Sequence, residues 1–169
     1  MRLRVRLLFR PCLLSGLLYF LCSCTTATFY IVRHADRAND TDTTSLSAVG
    51  LARADHLAQL LTNKPLDSIY ATPYTRTRQT VMPTAHAKNL PVTQYPTQPL
   101  AQLSKRLLTF KGQSALIVGH SNTVLPLVAS LGVKPTITVI NHGDYQHLFI
   151  VQRRHTLFGQ RVNLREETY

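Results

Sequence analysis

The chain has 169 residues, enough for one domain with a hydrophobic core, and a formal net charge of +11. Four of its 19 basic residues lie in the first ten positions, which leaves 15 basic and eight acidic residues, a net charge of +7, on residues 24–169. This excess favours an anionic ligand or surface, but the chain lacks long basic runs and interleaved aromatic and basic residues, so we expect no nucleic-acid partner.

The first 24 residues predict an export signal rather than part of the fold. A basic segment over residues 1–10 precedes an apolar run over residues 12–21, which is too short to span a bilayer. All three cysteines of the chain lie in this leader. The rest of the chain therefore has no thiol that could mispair, which fits an oxidising compartment.

The end of this leader, Leu21-Cys22-Ser23-Cys24, resembles a bacterial lipobox. The resemblance implies a lipoprotein-type signal peptide over residues 1–23 and a lipid on Cys24. We therefore expect the protein in the bacterial cell envelope, anchored to a membrane through its N-terminal lipid and facing the periplasm or the exterior. An ordinary secretory signal and an uncleaved anchor are the alternatives.

Strands and helices alternate along residues 24–169, which form one predicted domain. This order predicts an α/β fold, a three-layer α/β/α sandwich with a mostly parallel sheet and an antiparallel C-terminal hairpin. The predicted strands are 28–33, 68–71, 91–95, 114–119, 136–140, 146–152 and 157–164. The predicted helices are 48–62, one that begins at Thr72-Pro73 and is kinked or interrupted at Pro83, 100–110 and 121–131.

Local signals refine these boundaries. Ser47 is a predicted N-cap for the first helix, and Thr72 for the second. Residues 35–46 are polar and have no periodicity, which predicts a long loop.

Two of the predicted strands end in a histidine. Phe29–Val32 leads through Arg33 into His34, and Ala115–Gly119 leads into His120. If these strands are parallel neighbours, both imidazoles emerge at the carboxyl edge of the sheet, where open α/β folds bind ligands. Two imidazoles and a guanidinium at one edge suit an anion, and phosphate above all.

Four segments, in this order, resemble motifs of the histidine phosphatase superfamily, the phosphoglycerate-mutase-like proteins. They are Val32-Arg33-His34-Ala35-Asp36, the segment 46–54, the segment 68–80 with Arg76, and Val118-Gly119-His120-Ser121-Asn122. The resemblance covers residues 29 to about 130 and implies the phosphoglycerate-mutase-like fold.

The same resemblance implies a phosphatase that needs no cofactor and no metal. His34 would be the nucleophile that forms a phosphohistidine, and Arg33, Arg76, His120 and Asn122 would hold the phosphate. The partner would be a small phosphorylated substrate or a phosphoprotein.

The chain departs from the family in its proton donor. Many members place a glutamate after the third strand or an aspartate directly after the second histidine, whereas residues 68–143 here contain no acidic residue. Asp36, two positions after the first histidine, is the first candidate for the general acid, and Asp40, Asp42 and Asp144 are alternatives. An enzyme without such an acid favours good leaving groups.

The sequence thus predicts hydrolysis of a phosphomonoester or phosphoramidate outside the cytoplasm, at the membrane. A catalytically weak phospholigand-binding lipoprotein is one alternative. A cytoplasmic protein-phosphohistidine phosphatase is the other.

Overall fold

The computed structural model describes residues 25–156 and 159–169. The predicted signal peptide and the lipidation site at Cys24 lie outside these residues. Within the described part of the chain, no helix has the length and apolar character needed to cross a membrane.

A mixed six-stranded sheet with four helices forms the domain, in agreement with the predicted fold class. The strand order is β3-β2-β4-β1-β5-β6; β3, β2, β4 and β1 are parallel, and β5 and β6 add an antiparallel hairpin. The strands are β1 Thr25–Arg33, β2 Ser68–Ala71, β3 Val92–Gln94, β4 Ser114–Gly119, β5 His147–Thr156 and β6 Gly159–Thr168. The helices are α1 Ala48–Leu60, α2 Thr75–Lys88, α3 Ala101–Leu108 and α4 Ser121–Ser130.

The adjacent strands β1 and β4 lie in the middle of the sheet and are buried on both faces. Alternate side chains such as Phe29 and Ile117 enter a core shared with α3 and α4. The intervening side chains, such as Val32 and Leu116, enter a second core with α1 and α2. Burial on both faces explains why these strands are continuous apolar runs. It also fixes their register, and with it the positions of the residues that follow them.

The helix termini partly follow the sequence signals. Ser47 caps α1 as predicted, since its side chain accepts from the backbone N–H of Gly50. The predicted cap at Thr72 is wrong: α2 begins at Thr75 after an extended Tyr74, and the Thr72 side chain is used elsewhere. The helix also continues through Pro83 to Lys88, with no interruption there.

The C-terminal region forms the expected hairpin, but one predicted strand is wrong. Residues 136–140 form no strand and no ladder with the sheet. Ile140 is instead buried in the first core and Ile137 packs against it, whereas Val139 is exposed. An alternating pattern marks a half-buried segment, and only a hydrogen-bonding partner makes such a segment a strand.

Close packing of α1 fixes the turn that follows β1. A Cβ atom on Gly50 would lie 2.0 Å from the backbone oxygen of Asp36, so glycine alone permits this approach. The same oxygen accepts from the backbone N–H of Ser47 at 2.9 Å. The first turn of α1 therefore holds the backbone just beyond His34.

Candidate active site

His34 and His120 meet at the carboxyl edge of the sheet. Their strands are paired so that Arg33 lies opposite Gly119, and the backbone N–H of His34 donates to the Gly119 oxygen at 2.9 Å. The two imidazole centroids are 5.3 Å apart. Both rings line a cavity of about 420 Å³. Its other lining residues are Arg33, Arg37, Asp42, Tyr74, Arg76, Thr97, Ser121, Asn122 and His142.

A backbone contact selects the tautomer of His34. Its Nδ1 lies 2.9 Å from the carbonyl oxygen of Ala35, which can only accept, so Nδ1 carries the proton. In the neutral ring Nε2 then keeps its lone pair. This is the form that an imidazole nucleophile requires.

The surroundings of both histidines keep them neutral. The pKa of His34 is lowered to about 3, above all by burial; the hydrogen bond to Ala35 opposes the lowering, and the nearby Arg33, His120 and Arg76 add to it. Burial likewise lowers the pKa of His120 to about 4, with Arg76 and Arg33 acting in the same direction. A cationic pocket therefore holds an uncharged His34 imidazole at neutral pH.

We expect His34 to remain neutral with its proton on Nδ1 down to about pH 5, far below the usual histidine pKa. Nitrogen-15 NMR of the imidazole rings in the ligand-free protein measures this directly. Because the folded pKa lies below the unfolded value, the unfolded state binds the proton more tightly. The contribution of His34 to stability is thus complete above about pH 6.5 and is lost as the pH falls toward 3. An imidazolium signal from His34 at pH 6 would contradict this expectation.

Two loops hold the phosphate-binding candidates Arg33 and Arg76. Nη1 of Arg33 donates to the backbone oxygens of Asn141 at 2.7 Å and Asp144 at 3.0 Å. Nη1 of Arg76, in the first turn of α2, donates to the backbone oxygen of Asp42 at 2.6 Å. Each arginine keeps its Nη2 group without a protein acceptor among the described residues. Each guanidinium is therefore anchored at one nitrogen and can offer the other to a ligand.

A buried chain of hydroxyl groups orients His120. The Thr77 hydroxyl donates to the carbonyl oxygen of Thr72 at 2.8 Å, and the Thr72 hydroxyl donates to Thr77 Oγ1 at 3.0 Å. The Thr72 oxygen is then free to accept from Nε2–H of His120, 2.8 Å away. The Thr72 side chain thus fixes the His120 ring and its tautomer.

One family model matches part of the sequence. Residues 29–97 match the model of the histidine phosphatase superfamily, branch 1. Over this segment, less than half of the chain, the protein is similar to that superfamily. The matched segment contains Arg33, His34 and Arg76, and the fold places His120 beside them.

Solved structures of histidine phosphatase and mutase proteins share the fold. The protein histidine phosphatase SixA, solved with tungstate, is 24% identical with a TM-score of 0.63, over 83% of this chain and 96% of SixA. A mycobacterial glucosyl-3-phosphoglycerate phosphatase is 14% identical, with a TM-score of 0.60 over 82% and 97% of the two chains. Phosphoglycerate mutase of Plasmodium falciparum is 17% identical, with a TM-score of 0.57 over 85% and 91%. A search of curated proteins found no match.

The cavity contains most of the predicted site residues but not Asp36. Asn122 lines the cavity with the arginines and histidines. Asp36 does not line it; its carboxylate accepts from Nε of Arg53 at 2.6 Å, on the side of α1. A carboxylate paired with arginine in this way braces the turn after His34. The structure therefore gives Asp36 a structural contact instead of the expected place at the pocket.

Sequence reasoning missed several pocket residues. The guanidinium carbon of Arg33 lies 4.2 Å from the Tyr145 ring centroid, and that of Arg76 lies 4.5 Å from the Tyr74 centroid. Arg37 and His142 contact each other across the mouth of the cavity. Tyr74 directly precedes α2 within a recognised motif, which was an available signal; the other three depend on loop conformation. The described residues contain no group of three or more histidine, cysteine or acidic side chains that could hold a metal ion.

Proposed function

We propose that this protein is a phosphatase that hydrolyses a phosphomonoester or phosphoramidate through a phosphohistidine on His34. One observation carries the proposal: a neutral imidazole with Nε2 unprotonated lies 5.3 Å from a second imidazole, in a cavity that two anchored guanidiniums line. A phosphoryl group carries about two negative charges and needs both positioning and charge stabilisation. The pocket supplies both.

The reaction has two displacements at phosphorus. In the first, Nε2 of His34 forms a bond to phosphorus while the bond to the leaving oxygen or nitrogen breaks. In the second, water attacks phosphorus, the P–Nε2 bond breaks, and inorganic phosphate leaves with His34 again neutral. Arg33 and Arg76 hold the non-bridging oxygens throughout. Two easier steps thus replace one difficult displacement.

Turnover and trapping test the proposal together. The full chain is assayed with p-nitrophenyl phosphate and with phosphohistidine, and an alkaline quench preserves any phosphoramidate on the protein. We expect turnover and a labelled peptide that contains His34. Binding of tungstate or vanadate without turnover and without an adduct would overturn the phosphatase proposal in favour of a phospholigand-binding protein.

We also propose that the domain is tethered to a membrane of the cell envelope through a lipid on Cys24. The basic and apolar leader and the lipobox-like segment before this cysteine support it. In bacteria that process lipoproteins, palmitate should label the full chain and should not label the Cys24→Ser variant. A soluble, unlabelled protein that begins at Met1 would overturn this proposal and would favour a cytoplasmic phosphatase.

A further inference from the structure

The pocket lacks the proton donor that the sequence led us to expect, and a different residue takes that position. Among the described residues, Asp42 is the one acidic residue that lines the cavity. We propose that Asp42 is the general acid and base of the reaction. This inference rests on the proposed phosphatase function and deepens it.

An ordered loop brings Asp42 to the pocket. Residues 37–46 fold back on themselves, with an isolated bridge between Arg37 and Leu46 and a hydrogen bond from the Ala38 N–H to the Ser45 oxygen at 3.0 Å. Gln79 of α2 holds the C-terminal end of this loop, since its Oε1 accepts from the Leu46 N–H at 2.7 Å. The tip of this loop therefore has a defined place above the N-terminus of α2.

The backbone of Asp42 is anchored while its side chain stays available. Its carbonyl oxygen accepts from Arg76, so the residue is fixed next to a guanidinium that faces the phosphate position. Burial lowers the pKa of both Arg76 and His120, and the negative charge of Asp42 opposes that lowering at both residues. The side chain is exposed and has no hydrogen-bonding or ion-pair partner among the described residues. It is thus free to contact a leaving group.

The other candidate acids in this region already have partners. Asp40 lies 2.8 Å from Arg37 and points to solvent, with 82% of its side chain exposed. His142 lines the cavity mouth, but its Nε2 contacts Arg37 and lies 3.4 Å from Asp40. Asp144 accepts from His147 at 2.7 Å. Asp42 alone among these four combines a place at the cavity with an unpaired acidic group.

The proton balance follows from the two displacements. In the first, the Asp42 carboxyl gives its proton to the leaving oxygen as the P–O bond breaks. In the second, the resulting carboxylate takes a proton from the attacking water as the P–Nε2 bond breaks, which returns Asp42 to its acid form. Such assistance typically contributes about 10²–10⁴-fold, and it matters most for poor leaving groups.

A leaving-group series tests this role in the full chain. The substrates are phenyl phosphates with p-nitro, unsubstituted and p-methoxy rings, which share their shape but differ in leaving-group basicity. In Asp42→Asn, which keeps the backbone contact to Arg76, we expect kcat/KM for p-nitrophenyl phosphate to change less than about threefold and that for the p-methoxy substrate to fall about 10²-fold. The dependence of kcat/KM on leaving-group basicity should steepen accordingly.

Controls separate the acid role from loop structure and from the phosphatase proposal. Asp55→Asn, an exposed change on α1, should match the wild type on every substrate. An equal loss on all substrates in Asp42→Asn, or no loss on any, would overturn the acid role while the proposed function stands. A selective loss in Asp40→Asn or His142→Gln instead would also overturn it. A wild type without turnover or adduct would overturn both proposals.

Discussion

Replacement of His34 by alanine is expected to lower kcat/KM for p-nitrophenyl phosphate by roughly 10⁴-fold or more and to abolish the trapped phosphohistidine. The ring supplies the nucleophile of the first displacement in the proposed mechanism, and no other imidazole replaces it, because Nε2 of His120 is turned toward Thr72. Steady-state assays and mass spectrometry of the quenched protein measure both effects.

A matched histidine change checks that this loss is local. His56 is exposed on α1, so His56→Ala should keep wild-type activity. The His34→Ala protein should still bind tungstate, since Arg33 and Arg76 remain. Activity of His34→Ala within tenfold of the wild type would show that phosphorus is attacked by another group, such as water, and would end the covalent mechanism.

Replacement of Arg76 by methionine is expected to produce the second largest loss, roughly 10²–10⁴-fold in kcat/KM. A charge-assisted hydrogen bond contributes about 1.5–3 kcal/mol, and a guanidinium can give two to a phosphoryl group. Each 1.4 kcal/mol corresponds to about tenfold in rate. The same variant releases the tip of the 37–46 loop, because Arg76 holds the carbonyl of Asp42. Steady-state kinetics and calorimetric titration with tungstate give the two readouts.

The lysine variant and a neighbouring arginine serve as comparisons. Arg76→Lys keeps the charge but loses the planar pair of donors, so its activity should lie between that of the methionine variant and the wild type. Arg78 is exposed on the same helix, and Arg78→Met should behave as the wild type. Equal losses in the Arg76 and Arg78 methionine variants would mean that overall charge, and not the clamp, governs binding.

The centre of the sheet could be predicted because its residues follow one strong physical rule. Strands β1 and β4 are buried on both faces, which gives continuous apolar runs, and parallel neighbours must end at the same edge. The positions of Arg33, His34 and His120 follow from that rule. The position of Arg76 could be predicted because a strand, a turn and a helix follow one another in this part of the sequence. The structure forms β2 and α2 there, with Arg76 in the first turn of α2.

The partners of loop side chains could not be predicted. Asp36 pairs with Arg53, seventeen residues later, and only the packing of α1 against the turn brings them together. Thr72 precedes a proline like a helix cap, yet the hydroxyl of Thr72 is buried against His120, because the helix starts three residues later. Asp42 lies in a polar segment without periodicity. Its position depends on a hydrogen bond from Arg76 to its backbone oxygen, and such a bond cannot be predicted from the sequence because every residue type has that oxygen.

Two kinds of structure build the walls of this pocket, and they face different evolutionary constraints. The imidazoles are attached to core strands, where almost any substitution would disturb packing on both faces of the sheet. The mouth is built from two exposed loops, 37–46 and 141–145, joined to the core through backbone carbonyls that any residue type provides. Substitutions in the two loops should therefore reshape the mouth of the pocket while the two imidazoles keep their places on the core strands.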